Sequence, residues 1–363
     1  MGTLRKRMTR SNSIAGRGVA AFLFLAAAFP SVYAQTKPKI ARDWAKYPAI
    51  VQIDTTAGIF ALGDIHGDCD RLIKLLTGAK LVESVPPSPT AASSTNLRWI
   101  AGKSVLVVTG DMIDKGPKAP AVLLLMRSLS EEAARAGGQV VVTMGNHEVD
   151  FLRNPDKANE FSAQLKASGL DPKAIAACTG DLGVYLCGLP FAARVNDWFF
   201  SHAGSTGGRT MNQLISDLQN GVDKDGFATT QLIGENSLIA ARLGEQGPGG
   251  KSWFESGGTQ QSADQLLAAN AAALHVAHIV QGHQHAPMRF PDGQQRKLGE
   301  LYQWHGRLFI LDTGMSQDIN ESVGAMLHIQ RGSATVVCPG GRVARLWVNT
   351  QKPDSAKGVR CGQ

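Results

Sequence analysis

Short apolar runs recur along the chain, and each is followed within a few residues by Asp, Asn or His. A continuous apolar run of four to six residues is typical of a strand that is buried on both faces. Five such runs lie at residues 58–62, 104–109, 139–144, 197–200 and 276–280. Because open α/β sheets place their sites beyond the carboxyl ends of the strands, the polar residues after these runs are predicted to lie close together.

Helical patterns alternate with these strands. Apolar residues recur at helical spacing at 69–79, and a second helix is predicted at 119–136. Residues at about 150–190 are polar and helical in pattern, and they are predicted to form an insertion over the site. Later apolar runs predict strands of a second sheet at 308–311, 325–329 and 343–348.

The first 34 residues have the pattern of a secretory signal peptide. Five basic residues and no acidic ones lie in the first 17 positions, an apolar run follows at 18–30, and the small residues Val32 and Ala34 precede a predicted cut. The apolar run is shorter than the ~20 residues of a spanning helix, and an uncleaved membrane anchor is the alternative. The protein is therefore predicted to cross the inner membrane and reach the periplasm.

Removal of this segment changes the charge of the protein. The whole chain carries +7, but five of its 37 basic residues and none of its 30 acidic residues lie in 1–34, so residues 35–363 carry +2. No basic run remains, and neither a nucleic-acid partner nor a further membrane span is predicted.

Residues 35–363 are predicted to form a single domain. The chain is 43% hydrophobic, which is enough for a large apolar core. The core part of the domain is predicted to span about residues 57–350. A stretch rich in Pro, Ser and Thr at 85–96 is predicted to be an exposed connector within this domain, because related motifs continue on both sides of it.

All five cysteines follow the predicted cleavage site, which favours disulfides in an oxidising compartment. Several connectivities are open. We predict the pairs Cys178–Cys187 and Cys338–Cys361, which leaves Cys69. Cys69 is interpreted as a buried helix residue, with a reactive role as the alternative, and no Cys/His zinc spacing is present.

The polar residues after the five strands have metal-binding chemistry. Asp64 and His66 are separated by one residue, so an extended loop would direct both side chains to the same side. The later strands are followed by Asp111, Asn146, His202, His283 and His285. Carboxylate, imidazole and amide oxygen ligands suit Mn, Fe or Zn better than Ca or Mg. These side chains are too many for one ion, so two ions that share Asp111 are predicted, an arrangement that promotes displacement at phosphorus.

Five motifs resemble those of the calcineurin-like metallophosphoesterases. They are Gly63-Asp64-Ile65-His66-Gly67, Gly110-Asp111 to Gly116, Gly145-Asn146-His147-Glu148, Ser201-His202-Ala203-Gly204 and Gly282-His283-Gln284-His285. Within that superfamily the chain looks most like the phosphoprotein-phosphatase branch, and especially its Shewanella-like members, from about residue 57 to 315. The resemblance implies an α/β metallophosphoesterase fold, in which two central mixed β-sheets pack face to face and helices flank them.

The resemblance also implies the metal ligands. The first ion would be held by Asp64, His66 and Asp111, and the second by Asp111, Asn146, His202 and His283. His285 departs from the protein-phosphatase pattern and matches the Gly-His-x-His ending of other metallophosphoesterases, where the second His joins the first metal. A ligand role and an exposed or supporting role are both open for His285. Two divalent ions are expected, with manganese first and iron or zinc as alternatives.

The same resemblance implies which residues act on the phosphate. His147 would be the general acid that protonates the leaving oxygen, with Asp114 orienting its ring. The family pattern has Arg after the second Asp of Gly-Asp-x-x-Asp, where this chain has Lys115, which lacks the bidentate fork of Arg. Lys115 and Asn146 are predicted to bind the phosphate. Arg242 is the candidate for a further phosphate-binding cation, with a solvated helix Arg as the alternative.

Hydrolysis of a phosphomonoester by a hydroxide that bridges two metal ions is the function these motifs favour. The branch implies a phosphoprotein substrate, phosphotyrosine included, although a phosphorylated small molecule is also open. A nucleotide or dinucleoside-polyphosphate hydrolase or phosphodiesterase is the alternative enzyme, because the same site serves anhydrides and diesters. A non-catalytic metal-binding scaffold is a minor alternative, which the presence of every core ligand and of His147 disfavours.

Overall fold

The computed structural model describes residues 42–84, 97–157, 160–243, 253, 262–320, 322–352 and 354–362. All of them belong to Lys39–Gln363, one of the two units that the contacts distinguish, the other being Met1–Pro38. The predicted signal peptide and the predicted connector at 85–96 lie outside the described residues. Within the described ranges, no helix combines the length and the apolar character that a membrane crossing requires.

Short strands and helices alternate through most of the chain. The strands are β1 (Ile50–Ile53), β2 (Ile59–Leu62), β3 (Val82–Ser84), β4 (Leu97–Trp99), β5 (Val105–Val108), β6 (Gln139–Val142), β7 (Ala192–Val195), β8 (Trp198–Ser201), β9 (His278–Gln281), β10 (Met288–Arg289), β11 (Gln295–Arg296), β12 (Glu300–Trp304), β13 (Leu308–Ile310), β14 (Met326–Gln330), β15 (Ser333–Val337), β16 (Val343–Val348) and β17 (Ala356–Arg360). The helices are α1 (Cys69–Gly78), α2 (Ala119–Arg135), α3 (Asn146–Arg153), α4 (Glu160–Ala167), α5 (Pro172–Ala176), α6 (Gly180–Cys187), α7 (Met211–Asp225), α8 (Thr230–Ile233) and α9 (Ala263–Ala273).

Two mixed sheets form the centre of the fold. Among the described residues, one sheet has the strand order β16-β15-β14-β2-β5-β6 and the other has the order β1-β7-β8-β9-β13-β12-β17. Strands β2, β5 and β6 are mutually parallel, and so are β8, β9 and β13. Side chains of both sheets share one apolar core. The prediction of two mixed sheets packed face to face and flanked by helices is therefore confirmed.

Side chains of the central strands alternate between two cores. In β5, Val105 and Val107 belong to the core between the sheets, whereas Leu106 and Val108 pack with the helices. Because both faces of β5 are covered by apolar groups, the sequence of the strand is an unbroken apolar run.

The three late strands are divided between the two sheets, so the prediction that they form a second sheet of their own is wrong. β13 pairs with β9, whereas β14 and β16 belong to the sheet of β2. Apolar runs indicate burial but do not indicate which sheet a strand joins, because both sheets use runs of the same kind. Two strands outside the predicted core of about 57–350 also belong to a sheet, since β1 pairs with β7 and β17 with β12.

The loops after the parallel strands of both sheets meet at one edge of the fold. The His283 N–H, which follows β9, donates to the Asp64 carboxylate, which follows β2 in the other sheet. His202, after β8, likewise contacts the backbone carbonyl of Thr109, after β5. This edge is where the strand-end residues of the sequence are expected to meet.

The predicted insertion at about 150–190 is helical, and it contains α4, α5 and α6. The Asp171 carboxylate caps α5 by accepting a backbone hydrogen bond in its first turn. A disulfide joins Cys178, which lies just before α6, to Cys187, the last residue of α6. Arg42 donates to the carbonyl oxygen of Cys187 at 2.9 Å, which ties the start of the described chain to this insertion.

A second disulfide joins Cys338, directly after β15, to Cys361, directly after β17. These two strands belong to different sheets, so the bridge connects the two layers. Both predicted pairings are therefore present, and Cys69 is a buried free thiol in the first turn of α1.

Replacement of both Cys338 and Cys361 by Ala should lower the free energy of unfolding by about 3 kcal/mol, because the bridge closes a loop of 23 residues and restricts the unfolded chain. Urea-induced unfolding measures this loss. Cys69→Ala is the control, since it removes a cysteine without removing a bridge. An unfolding midpoint equal to that of the unmodified protein would show that this bridge does not stabilise the fold.

Candidate metal-binding active site

Backbone hydrogen bonds join the loops that follow β2 and β5. Ile65 N and His66 N both donate to Asp111 O, at 3.0 and 2.9 Å. His66 and Asp111 both adopt positive φ, at 46° and 49°, which is uncommon for residues other than Gly. Gly116 approaches so closely that a Cβ there would overlap His66 O. The two loops are therefore fixed against each other.

One carboxylate oxygen of Asp111 lies at the centre of the site. Asp111 Oδ2 is 3.3 Å from His202 Nε2 and 3.6 Å from His66 Nε2. It is also 3.9 Å from His147 Nε2. The other oxygen, Oδ1, accepts a hydrogen bond from the His147 backbone N–H at 3.0 Å, which fixes the orientation of the carboxylate.

The rings of His66 and His202 direct their Nε2 atoms at Asp111. His66 Nδ1 lies 3.0 Å from Ile113 O, and His202 Nδ1 lies 2.7 Å from Thr109 O. A carbonyl oxygen can only accept, so each Nδ1 carries a proton and each Nε2 of the neutral ring carries a lone pair. Lone pairs directed at a carboxylate repel it unless a cation lies between them.

Three further predicted ligands surround the same centre. His283 Nε2 is buried and has no hydrogen-bond partner. Asn146 Oδ1 lies 3.0 Å from His202 Nε2. The Asp64 carboxylate accepts from His283 N at 3.0 and 3.1 Å, and its Oδ2 lies 3.8 Å from His66 Nε2.

This donor set fits two cations that share Asp111. Among the described residues, ligand atoms of Asp111, His202 and His283 lie within 4.8 Å of one another, and so do those of Asp111, His66 and His147. Asp111 belongs to both groups, as a shared ligand must. The unprotonated ring nitrogens and the carboxylates are donors that suit Mn, Fe or Zn.

Burial controls the protonation of the site. Burial lowers the pKa of His66 to about 4 and the pKa of His283 well below its usual value. Burial and the carboxylates of Asp312 and Asp111 raise the pKa of Asp64 well above its usual value. His66 and His283 are therefore neutral, as ligation requires, and bound cations would relieve the repulsion among the carboxylates.

His147 differs from the other imidazoles of the site. Its side chain is 20% exposed, and its Nδ1 lies 2.9 Å from Asp114 Oδ2. Burial lowers the pKa of His147, but the charge of Asp111 and the hydrogen bond to Asp114 outweigh burial, so the pKa is raised above its usual value. A ring whose pKa is raised, so that its protonated form is favoured, and that is held by a carboxylate has the features of a general acid.

Lys115 and Arg242 are the two predicted phosphate-binding cations. Lys115 follows Asp114 in the same loop and is partly buried. Arg242 is partly buried, and its Nη1 donates to His283 O at 3.4 Å, so Arg242 lies beside the second group of ligands instead of in solvent.

His285 lies apart from the two groups of ligand atoms found in the described chain. Its Nδ1 is 3.6 Å from Asp312 Oδ2, and its side chain is 37% exposed. The structure places His285 beside Asp312, and the ligand role and the supporting or exposed role both stay predictions.

Glu148 supports the site, and the sequence analysis assigned it no function. Its buried carboxylate accepts from Gly145 N and Asp111 N through Oε2, at 2.8 and 2.9 Å. Through Oε1 it accepts from Met112 N and Ile113 N, at 2.8 and 3.3 Å. Glu148 therefore joins the start of α3 to the loop of Asp111. The sequence feature that could have indicated this role is the position of Glu148 inside the Gly-Asn-His-Glu motif.

Asp312 is a second residue that the sequence analysis missed. It is fully buried two residues beyond the end of β13, and its Oδ2 has no hydrogen-bond partner. The pattern that could have indicated it is the one used for Asp64 and Asp111, an acidic residue directly after a buried strand.

The match to a known protein family agrees with this geometry. Residues 58–287 match the family model described as calcineurin-like phosphoesterase. This span is more than half of the chain, and it includes all five strand-end loops that form the site.

Two curated relatives indicate the branch of the family. Shewanella-like protein phosphatase 1 from Plasmodium berghei (strain Anka) is 30% identical over 186 residues, which are 48% of this chain and 45% of the relative. Shewanella-like protein phosphatase 2 from Arabidopsis thaliana is 32% identical over 91 residues, which are 25% of this chain and 20% of the relative. The matches thus span less than half the length of these relatives. They confirm the resemblance to the Shewanella-like phosphatases.

A solved structure has the same fold. The crystal structure of the cold-active protein-tyrosine phosphatase of a psychrophile Shewanella sp. superimposes with a TM-score of 0.55 at 21% identity and covers 82% of each chain. At this identity the likeness demonstrates a shared fold. Because the family model matches more than half of this chain, the chain belongs to the calcineurin-like phosphoesterase family.

Proposed function

We propose that the protein is an enzyme that hydrolyses phosphomonoesters with two divalent metal ions, and that its substrates are phosphoproteins, phosphotyrosine proteins included. The main support is the pair of unprotonated Nε2 atoms, from His66 and His202, that face Asp111 Oδ2. Manganese is the proposed metal, with iron or zinc as alternatives. Two bound cations would polarise the phosphoryl oxygens and lower the pKa of water, which favours in-line displacement.

Backbone groups of the chain hold the ligands in place. The His147 N–H fixes one oxygen of Asp111, and the His283 N–H fixes the Asp64 carboxylate. The Nδ1–H groups of His66 and His202 donate to backbone carbonyls. Because these supports are peptide groups of packed strand-end loops, the ligands are already oriented before substrate binds.

His147 donates a proton to the leaving oxygen in this mechanism. Its Nδ1 is engaged by Asp114 Oδ2, so the proton available for transfer is on Nε2. When Nε2 gives up that proton, the leaving group departs as an alcohol or phenol and the ring becomes neutral. The neutral ring still donates to Asp114 through Nδ1, so its orientation is kept during turnover.

Lys115, Asn146 and Arg242 are the proposed phosphate-binding residues. Arg242 lies beside His283, where a guanidinium can offer two parallel N–H groups to a phosphate. Lys115 provides a point charge that does not define the orientation of the phosphate. Arg242 is therefore proposed to contribute more of the orientation than Lys115 does.

The proposed location is the periplasm. The predicted signal peptide at 1–34 supports it, and so do the two disulfides, Cys178–Cys187 and Cys338–Cys361, because disulfides persist in oxidising compartments.

A substrate panel tests the proposed function. The purified protein loaded with Mn²⁺ should hydrolyse phosphotyrosine or phosphoserine peptides faster than diadenosine tetraphosphate or cyclic nucleotides, and EDTA should abolish the activity. Faster hydrolysis of the nucleotides would replace the proposed substrate class by the alternative one. A folded, metal-loaded protein that hydrolyses no member of the panel would show that the proposed activity is wrong.

Asp111→Asn should reduce the binding of both metal ions, because Oδ2 is shared and an amide oxygen carries no net charge. Metal content per chain, measured by mass spectrometry after gel filtration, is expected to fall for both ions. Asp54→Asn, which changes an exposed carboxylate that pairs with Arg194, is the matched control. Loss of only one ion in Asp111→Asn would mean that Asp111 is not shared.

His147→Ala should lower kcat on a phosphoserine peptide by about 10²–10⁴, because a leaving alkoxide needs the proton that His147 supplies. The metal content should stay as in the unmodified protein. His275→Ala, an exposed histidine outside the site, is the control and should leave kcat unchanged. A parallel loss of metal in His147→Ala would identify His147 as a ligand.

A further inference from the structure

The first helix of the insertion, α4, contacts the side chain that orients the proposed general acid. Phe161 N, in the first turn of α4, donates to Asp114 Oδ1 at 3.0 Å. The other oxygen of the same carboxylate, Oδ2, lies 2.9 Å from His147 Nδ1. The Asp114 carboxylate therefore connects α4 directly to the ring of His147.

Gln164, one turn further along α4, binds the backbone of the same loop. Its Nε2 donates to Gly116 O at 2.7 Å, and its Oε1 accepts from Ala119 N at 2.8 Å. These two contacts need a donor and an acceptor on one side chain. An amide provides both, whereas a carboxylate provides only the acceptor and an alkyl chain provides neither.

The loop that α4 holds has an unfavourable backbone conformation. Asp114 and Lys115 are consecutive non-glycine residues with φ of 60° and 54°. Residues in this region of φ persist where the surrounding structure fixes them. Besides the contacts to α4, the loop is held by Ser316, whose Oγ donates to Lys115 O at 2.7 Å.

Aromatic packing fixes α4 against the helix that carries His147. Phe161 is fully buried, and its ring meets the ring of Phe151 edge to face, with centroids 4.7 Å apart and an interplanar angle of 72°. Phe151 belongs to α3, whose second residue is His147. The relative position of Asp114 and His147 therefore depends on the packing of α3 against α4.

We propose that α4 is a positioning element of the active site and that Gln164 is its positioning residue. By holding the backbone from Gly116 to Ala119, Gln164 keeps the Asp114 carboxylate in the place where it orients His147. The helical insertion thus determines the direction in which the proton is delivered. This inference rests on the proposed function, because it requires His147 to act as the general acid.

Gln164→Leu tests the inference, since it removes both amide contacts and keeps a similar side-chain volume. On phenyl phosphate, whose leaving group needs a proton, kcat should fall about 10- to 100-fold, as expected when a catalytic group is misplaced. On 2,4-dinitrophenyl phosphate, whose leaving group departs without a proton, kcat should change little. Metal content should not change, because Gln164 contacts no proposed ligand. A purely structural role would lower both rates together.

Lys166→Ala, an exposed change on the same helix, is the matched control and should leave both rates unchanged. Gln164→Glu keeps the acceptor for Ala119 N–H but directs a carboxylate oxygen at Gly116 O, so it should show the same selective loss. If Gln164→Leu does not fold, Gln164→Glu provides the comparison. An equal loss on both substrates, or no loss, would overturn the inference, whereas inactivity of the unmodified protein would overturn the proposed function instead.

Discussion

Asp111 Oδ2 faces the Nε2 lone pairs of His66 and His202, and all three side chains are buried. A buried carboxylate oxygen that meets acceptors instead of donors destabilises a fold unless a cation compensates. The second oxygen of Asp111, by contrast, accepts from His147 N–H, and the Asp111 N–H donates to Glu148. The unfavourable contacts therefore centre on the atom that two cations would share, and bound cations would relieve them.

The two sheets make this arrangement possible. Parallel strands of different sheets end at the same edge, so short loops bring carboxylates from one sheet to imidazoles from the other. The supports of the ligands are mostly peptide groups of these loops, and the buried Glu148 carboxylate connects two of the loops to each other. Since packed strands determine where peptide groups lie, the precision of the site follows from the apolar cores on both faces of the sheets.

Sequence reasoning reached the residues that sit directly after buried strands, such as Asp64 and His202, because strand burial and sheet topology place such residues at one edge. It could not divide the late strands between the sheets, since both sheets use equally apolar runs. It also missed Gln164, whose two partners lie 45 and 48 residues away in the chain and leave no local pattern. His285 shows a further limit, because its motif position allows ligation while its ring is placed near Asp312.

The antiparallel pairing of β2 with β14 has a consequence for how much of the chain is needed for activity. Ala61 in β2 lies opposite Leu327 in β14, so the strand that precedes the first ligands has its neighbour near the end of the chain. A fragment that ends at residue 287, where the family match ends, would contain every motif residue and would lack this neighbour. The six-stranded sheet closes only after such distant segments have met, and pairings of this kind form slowly. We therefore expect the minimal catalytic unit to be larger than the segment that contains the motifs.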